Sequence, residues 1–461
     1  MNLEKIKKIH FIGVGGIGVS AVARLMLDLG KEASGSDMAD SEIIQELKKQ
    51  GLKFYLGHEH TNLVDDVDSV VYSAAVPSDN PERRKAKQLG IEELNYPEML
   101  HVLGEGRKTI AISGTNGKTT TTALIGLILE AGKEDPLVIV GSKVKNFKEG
   151  NLRFGHGKYF VVEACEYRAH MLHLNPQIIV LTNIEEDHLD YYRDLDHIAD
   201  TFQEYVNKLP KSGILILNND DSISANRLVK PRCKVVTYGI ENPADVMAKN
   251  IKIENGRQYF DLAFGDEIIG NFDLGVPGIF NIYNALAAIT CALELGINIE
   301  VIKKTLAKFS GTWRRFEKNG EKNGAIIISD YAHHPTAVRG TIKGAKEFYP
   351  DRRLVVVFQP HQHNRTYKLF NEFIEAFNGA DLVILPEIYD VAGREEKEDQ
   401  NISSKDLVEK LIKMNKVSKA IFAKDLAETK KIILENIEPN DLVLIMGAGD
   451  IYKVAEELVE D

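Results

Sequence analysis

Apolar residues in this chain come in short runs rich in β-branched side chains, separated by stretches in which apolar positions recur at helical spacing. The runs predict strands at residues 9–14 (IHFIGV), 68–73 (DSVVYS), 109–114 (TIAISG), 159–164 (YFVVEA), 178–183 (IIVLTN) and 213–218 (GILILN). Further strands are predicted at 325–330 (AIIISD), 353–359 (RLVVVFQ), 381–386 (DLVILP) and 441–447 (DLVLIMG). Between them, Ile198, Phe202, Tyr205 and Leu209 share one helix face and read as a core stripe. A long helix is expected at about 281–296 and a shorter one ending near Lys308. Residues 221–275 alternate, as in QYFDLAF, and read as a β-rich flank of the middle of the chain. Strand and helix alternating in this way predict the α/β class, with mostly parallel sheets covered by helices. Restarts of the strand, glycine turn, helix pattern place domain breaks near 106 and 311, giving domains 1–106, 107–311 and 312–461.

Composition narrows the class. With 57 Lys+Arg against 68 Asp+Glu, the formal charge of the 461 residues is −11, and 44% are hydrophobic and 27% charged. That excludes a disordered, collagen-like or coiled-coil chain, and argues against a general nucleic-acid binder. Cys165, Cys233 and Cys291 are widely separated, which argues against a disulfide framework or structural zinc and fits a reducing cytoplasm. Glycines interrupt the apolar stretch near the amino terminus, and no apolar run is long enough to span a bilayer, so neither an export signal nor a membrane partner is expected.

Two glycine loops follow predicted strands and open predicted helices. The first is GVGGIG at 13–18, with Asp37 in SGSD about 20 residues further on. Its N–H groups and helix N-terminus suit a diphosphate, and the acid suits ribose hydroxyls, so a nucleotide or nucleotide-sugar is expected here. The second is ISGTNGKTTTTALI at 112–125. There the loop N–H groups would cradle phosphates, Lys118 would face the transferred phosphoryl, and Thr119 would offer a hydroxyl to Mg²⁺. Ile112 stands at the first glycine of the general phosphate-loop pattern, which makes this a variant loop.

Strand ends carry the remaining candidates. VVEACEYRAHML (161–172) and TNIEEDHLDYY (182–192) would bring Glu163, Asn183 and His188 near the second loop, with Glu163 and His188 as candidate Mg²⁺ ligands. SDYAHHPTAVRGTI (329–342) and FQPHQHNRTY (358–367) hold His333, His334, His361 and His363, for which zinc is one reading. Arg365 and the pair Arg314/Arg315 read better as anion clamps, because guanidinium forks match carboxylate and phosphate oxygens.

Taken in order, GVGGIG, SGSD, GTNGKTTT, TNIEEDHLDYY, PGIFNIYNA, GTWRRFE, DYAHHPT and FQPHQHNRT resemble the Mur ligases of bacterial cell-wall precursor synthesis, over nearly the whole chain. The resemblance implies a Rossmann-like amino-terminal domain, a P-loop-type central ATPase domain and a Rossmann-like carboxyl-terminal domain that closes over both. It also implies a cytoplasmic enzyme with ATP and Mg²⁺ as cofactors, joining L-alanine to UDP-N-acetylmuramate through an acyl phosphate. The alternatives are a relative that attaches a tripeptide to the same sugar nucleotide, and a nucleotide sensor without catalysis. The sequence gives no oligomeric state.

By that resemblance Gly13, Gly15, Gly16, Ile17, Gly18, Asp37 and Ser73 would hold the UDP-sugar. Gly114, Thr115, Asn116, Gly117, Lys118, Thr119 and Thr120 would hold ATP phosphates, with Asn281, Asn284, Arg314, Arg315 and Asp330 completing the ATP site. Tyr331, His333 and Arg365 would meet the amino acid; Thr119, Glu163 and His188 would hold the metal; and His333 or His188 would take the amine proton. Four places depart from the family pattern: Asn116 and Phe280 each replace a usual histidine, Cys165, Tyr167 and Arg168 alter a usually acidic segment around Glu166, and Gln362 replaces a usual arginine.

Overall fold

The computed structural model describes residues 3–147, 150–188, 191–229, 231–390 and 402–460. Leu189 and Asp190, within the TNIEEDHLDYY motif, lie outside them. The chain divides into two compact units: residues 1–249, 262–270 and 283–306 form one, and 250–261, 271–282 and 307–461 the other.

In the first unit, one parallel sheet has the spatial order Lys53–Leu56, Glu32–Asp37, Lys8–Ile12, Ser69–Tyr72, Glu92–Asn95. The order reverses beside the strand that feeds the first glycine loop, as in dinucleotide-binding folds, so the loop opens at the switch point. A second sheet runs Lys234–Gly239, Ile214–Asn218, Ile178–Leu181, Lys108–Ser113, Tyr159–Glu163, Leu137–Ile139, with Leu152–Arg153 antiparallel at its edge. Strand Lys108–Ser113 lies between Ile178–Leu181 and Tyr159–Glu163, which aims the second loop, Glu163 and Asn183 at one edge of the sheet. Phe11, Val22, Leu100, Phe160, Phe202 and Tyr205 belong to one buried apolar cluster, so the two sheets share a core. Asn151 Nδ2 donates to the Ile17 carbonyl at 2.5 Å, and Lys143 Nζ lies 3.4 Å from both Glu42 and Glu46, adding polar ties between them.

In the second unit, six strands are ordered Glu317–Lys322, Ala325–Asp330, Leu442–Met446, Leu354–Phe358, Leu382–Pro386, Lys419–Ala423. All pair in parallel except the first two, which form an antiparallel hairpin. Ile328, Val356 and Leu444 pack with Phe373 and Leu407 in one cluster, while Ile327, Val355 and Val443 pack with Ile433 and Leu458 in another. Alternate residues of each strand thus feed opposite faces, both of them covered by helices.

The expected strands all form, with ends that match the expectation or shift by one or two residues. The strand expected at 9–14 is Lys8–Ile12, because Gly13 leaves it with φ +78°. The helix over Ile198 ends at Val206, short of Leu209, which still packs into the core. The long helix is Ile279–Glu294 and the shorter one Ile299–Lys308. The alternating stretch forms strands Val246–Glu254, Arg257–Phe264 and Glu267–Leu274. Of the flank assigned to the middle of the chain, 250–261 and 271–275 group with the second unit, because their contacts are denser there.

A buried polar cluster underlies the first loop. The Glu82 carboxylate, with no exposed side-chain surface, meets His10 Nε2 at 2.8 Å and accepts from Ser36 Oγ at 2.7 Å and Asn62 Nδ2 at 3.0 Å. Burial alone would raise its pKa, but these partners hold it below the usual carboxylate value. Removing a buried group of this kind strands its partners, so Glu82→Ala should cost about 3 kcal/mol or more. Urea denaturation followed by circular dichroism measures that loss.

Candidate active site

The second loop is anchored from the neighbouring strand end. Thr115 N donates to Asn183 O (2.9 Å), Asn116 N to Asn183 Oδ1 (2.9 Å), and Thr182 Oγ1 to Asn116 O (2.6 Å). Gly117 sits at φ +84°, and a Cβ there would meet Asn284 Oδ1 at 2.2 Å, so only glycine fits. Helix Lys118–Ala131 starts directly behind it. Its first-turn N–H groups have no intrahelical acceptor, which makes the loop an anion cradle. Lys118 Nζ reaches back to the carbonyls of Gly114 (2.5 Å) and Thr115 (3.0 Å), within the loop that would receive the phosphates.

Lys118 also pairs with Glu166 at 2.9 Å, side chains 12% and 4% exposed. Burial would lower the ammonium pKa, but Glu166 more than offsets this and the net shift is upward. Burial would raise the Glu166 carboxyl, but Lys118 and His188 hold it below its ordinary value. Both groups are therefore charged at neutral pH. Glu166 is the residue that sequence reasoning passed over: it lies in EACEY, three positions beyond the glutamate that was singled out.

Glu163, at its strand end, accepts from Thr119 Oγ1 (3.0 and 3.2 Å) and from Gly141 N (2.9 Å). A carboxylate and a hydroxyl side by side on a phosphate loop fit a hard, oxygen-preferring divalent cation whose other ligands come from phosphate and water. His188 departs from the expected pairing. Its Nε2 lies 3.5 Å from Glu166 Oε1 and its ring packs at 4.8 Å on Tyr167, so it sits with the lysine–glutamate pair. Among the described residues, no group of three or more His, Cys, Asp or Glu is placed to hold a metal, which goes against the zinc reading of His333, His334, His361 and His363.

Beyond Glu166 the chain makes an unusual turn. Arg168 (φ 51°, ψ 30°) and Ala169 (φ 56°, ψ 27°) are both left-handed. The turn is pinned by Ala169 N to Glu166 O (2.9 Å), Met171 N to Cys165 O (2.9 Å) and the Tyr192 hydroxyl to Glu166 O. Cys165, an exposed residue at the start of this turn, has its thiol pushed up to about 12 by the surrounding protein and the Glu166 charge.

The first loop is tied to the neighbouring strand end. Gly13 N and Val14 N donate to Ser36 O, and Gly15 N donates to Asp37 Oδ2 at 2.9 Å. The acid expected to take ribose hydroxyls is thus bonded to the loop itself. A Cβ on Gly18 would lie 2.5 Å from the Tyr96 ring, so that glycine serves close packing of its helix, and Ile17 contributes its carbonyl to Asn151. Gly16 N closes the turn on Gly13 O, and Ser73 stands beside Gly13 at the next strand end. On the long helix, Asn281 Nδ2 donates to Pro277 O (2.7 Å) and so secures the helix start, while Asn284 lies against the phosphate loop and receives Thr121 Oγ1 at 3.4 Å.

In the second unit the predicted residues cluster at the carboxyl ends of Ala325–Asp330 and Leu354–Phe358. Tyr331 and His333 rings lie 5.3 Å apart, His333 and His361 6.2 Å, and Arg365 Nη1 is 3.4 Å from His361 Nδ1. Asp330 spends its carboxylate on Phe316 N and Ala332 N, both at 2.7 Å. Arg314 is 5% exposed, donates to the carbonyls of Gly447 and Gly449, and is ringed by Trp313, Tyr331 and Tyr452. These bonds give Asp330 and Arg314 a fold-holding duty, and of the arginine pair Arg315, less buried and over the Tyr331 ring at 4.9 Å, is the better anion clamp. Gln362, at φ +70°, donates its N–H to Tyr389 O.

Comparison with known proteins follows this layout. Residues 8–108 match the Mur ligase family catalytic domain, 112–292 the Mur ligase middle domain, and 314–449 the Mur ligase glutamate ligase domain. The UDP-N-acetylmuramate–L-alanine ligase of Clostridium tetani is 43% identical over 457 residues, covering 98% of each chain. That of Alkaliphilus metalliredigens is 40% identical, covering 100% of this chain and 99% of its own. Among solved structures, UDP-N-acetylmuramate-alanine ligase from Thermotoga maritima superimposes with a TM-score of 0.84 at 28% identity, over 98% of both chains. A murein peptide ligase from Psychrobacter arcticus shares the fold, with a TM-score of 0.71, 24% identity and 98% coverage of both. Identity at this level from end to end, with the three domain matches in order on three α/β sheets, means that the chain belongs to the Mur ligase family.

Proposed function

We propose that this protein is an ATP-dependent ligase that joins L-alanine to the lactyl carboxylate of UDP-N-acetylmuramate, in cytoplasmic peptidoglycan precursor synthesis. The full-length likeness to enzymes of that name supports the substrates. The observation that carries the chemistry is the juxtaposition of Lys118 and Glu166 with Thr119 and Glu163 on one phosphate loop. Residues 1–106 receive the sugar nucleotide, 107–311 the ATP, and 312–461 the amino acid.

The reaction starts when the substrate carboxylate oxygen attacks the γ-phosphorus of ATP; the bond to the β-bridging oxygen breaks, leaving ADP and an acyl phosphate. The amine nitrogen of alanine then attacks the acyl carbon, phosphate leaves and the amine proton is lost. A carboxylate must approach a polyanion, so the loop N–H groups and Lys118 act by lowering that repulsion as charge moves to the bridging oxygen. Thr119 and Glu163 would hold Mg²⁺, which supplies further charge neutralisation at the phosphates. His333 is the better candidate base. Its Nδ1 lies 3.0 Å from the Tyr331 carbonyl and must donate to it, which makes Nε2 the basic nitrogen. His188 instead turns its Nε2 to Glu166, 3.5 Å from Oε1. Tyr331 and Arg365 line the same cluster and suit the amino-acid ammonium and carboxylate.

The acceptor is tested by ADP release with UDP-N-acetylmuramate and Mg-ATP. L-Alanine should drive turnover; release with a tripeptide and not with alanine would assign the recycling-type reaction, and release with neither would leave a nucleotide-binding protein without ligation. Lys118→Ala should cut turnover by about a thousandfold or more, as loss of a transition-state charge does, while circular dichroism reports a folded protein. Glu166→Gln tests the ion pair by pH. The native carboxyl sits below its unfolded value of 4.5, so its stabilisation is full above that pH and is lost as pH falls through the folded pKa. The gap in melting temperature between native protein and Glu166→Gln should be present at pH 7 and shrink below pH 4.5.

A further inference from the structure

The phosphate-loop cleft is short of positive charge. Glu163 and Glu166 both act on Lys118, and Lys118 is already paired with Glu166. A bound cation would answer the ATP phosphates, yet a second anion, the sugar nucleotide's carboxylate, must still enter. The residue just beyond Glu166 with charge to offer is Arg168. It is exposed, and among the described residues no carboxylate or carbonyl holds its guanidinium; its neighbour is the Tyr167 ring at 5.4 Å. Tyr167 in turn packs on His188 at 4.8 Å, and His188 faces Glu166. The arginine is therefore braced, through two rings, on the same ion pair that anchors the loop lysine.

Its backbone points the same way. Two successive non-glycine residues in the left-handed region are strained, and such strain persists where the surrounding structure over-determines it, commonly at functional sites. Here three hydrogen bonds, from Ala169 N, Met171 N and the Tyr192 hydroxyl, enforce it. Glycine would relieve the strain at 168, but would supply no cation.

We propose that Arg168 is a substrate-positioning residue that pairs with the carboxylate of the UDP-sugar and holds it for attack on the γ-phosphoryl. The loop N–H groups and Lys118 serve the ATP phosphates, which leaves the arginine, outside the loop, for the acyl donor. The assignment rests on reading Lys118 as the phosphate-binding lysine, and the two fail separately.

The experiment is steady-state kinetics of the full-length enzyme with ATP, L-alanine and UDP-N-acetylmuramate varied in turn, for Arg168→Ala, Arg168→Lys and Arg168→Gly. Loss of a charge-assisted hydrogen bond should raise KM for UDP-N-acetylmuramate about 10- to 100-fold in the alanine and glycine variants. KM for ATP and alanine should stay within about twofold, and lysine should recover part of the loss because it keeps the charge but not the fork. Arg168→Gly should melt at or above the native temperature while losing sugar-nucleotide affinity, a separation that a purely structural arginine does not produce. Unchanged KM for UDP-N-acetylmuramate in Arg168→Ala, with Lys118→Ala inactive, would overturn this inference and leave the ligase reading standing. A rise confined to KM for ATP would instead assign the arginine to the phosphates, and a shared loss of all three affinities with a lowered melting temperature would make it a structural residue.

Discussion

The arrangement of the central domain depends on one buried ion pair. Lys118 opens the helix behind the phosphate loop, and an unpaired ammonium at a helix N-terminus faces the positive end of the dipole. Glu166 resolves that conflict from the adjacent strand end. The carboxylate can do so only because strand Tyr159–Glu163 pairs directly with strand Lys108–Ser113, putting the residues after both strands in reach of each other. Sheet register, loop shape and the charge state of the lysine are therefore one constraint, and His188 and Tyr167 join it through the same glutamate.

Most of the central strands were legible as sequence because strands covered on both faces read as continuous apolar runs: Ile178–Leu181 and Leu442–Met446 contain no polar residue. Flanking strands were not. Glu32–Asp37 is EASGSD, and Lys53–Leu56 and Glu92–Asn95 lie at the sheet edges, where burial does not demand an apolar pattern. The division of residues 250–282 between two units was equally invisible, since alternation reports a half-buried strand but not which body buries it.

The site was legible where backbone chemistry dictates residue type and illegible where side chains choose among partners. Glycines and a lysine at 114–118 announce a phosphate loop, and in the structure that stretch is held by Thr182 and Asn183. Sequence spacing could not tell that Glu163 would turn to Thr119 while Glu166 took the lysine, because one ends the strand and the other lies only three residues beyond it. Arg314 and Arg315 are adjacent and identical in type, yet one is enclosed by three aromatic rings and two carbonyls, while its neighbour stays part-exposed. Asp37 shows the reverse case, a residue in the expected place bonded to the loop it was expected to assist.

Cys165 sits beside this machinery, and its surroundings set the state of its sulfur. Thiolate is the form that reacts with electrophiles, and a thiol pushed up to about 12 by its enclosure and by the Glu166 charge supplies almost none of it at neutral pH. Burial, helped by the negative charge that steadies the lysine, thus biases the neighbouring cysteine toward the protonated thiol, the less nucleophilic form.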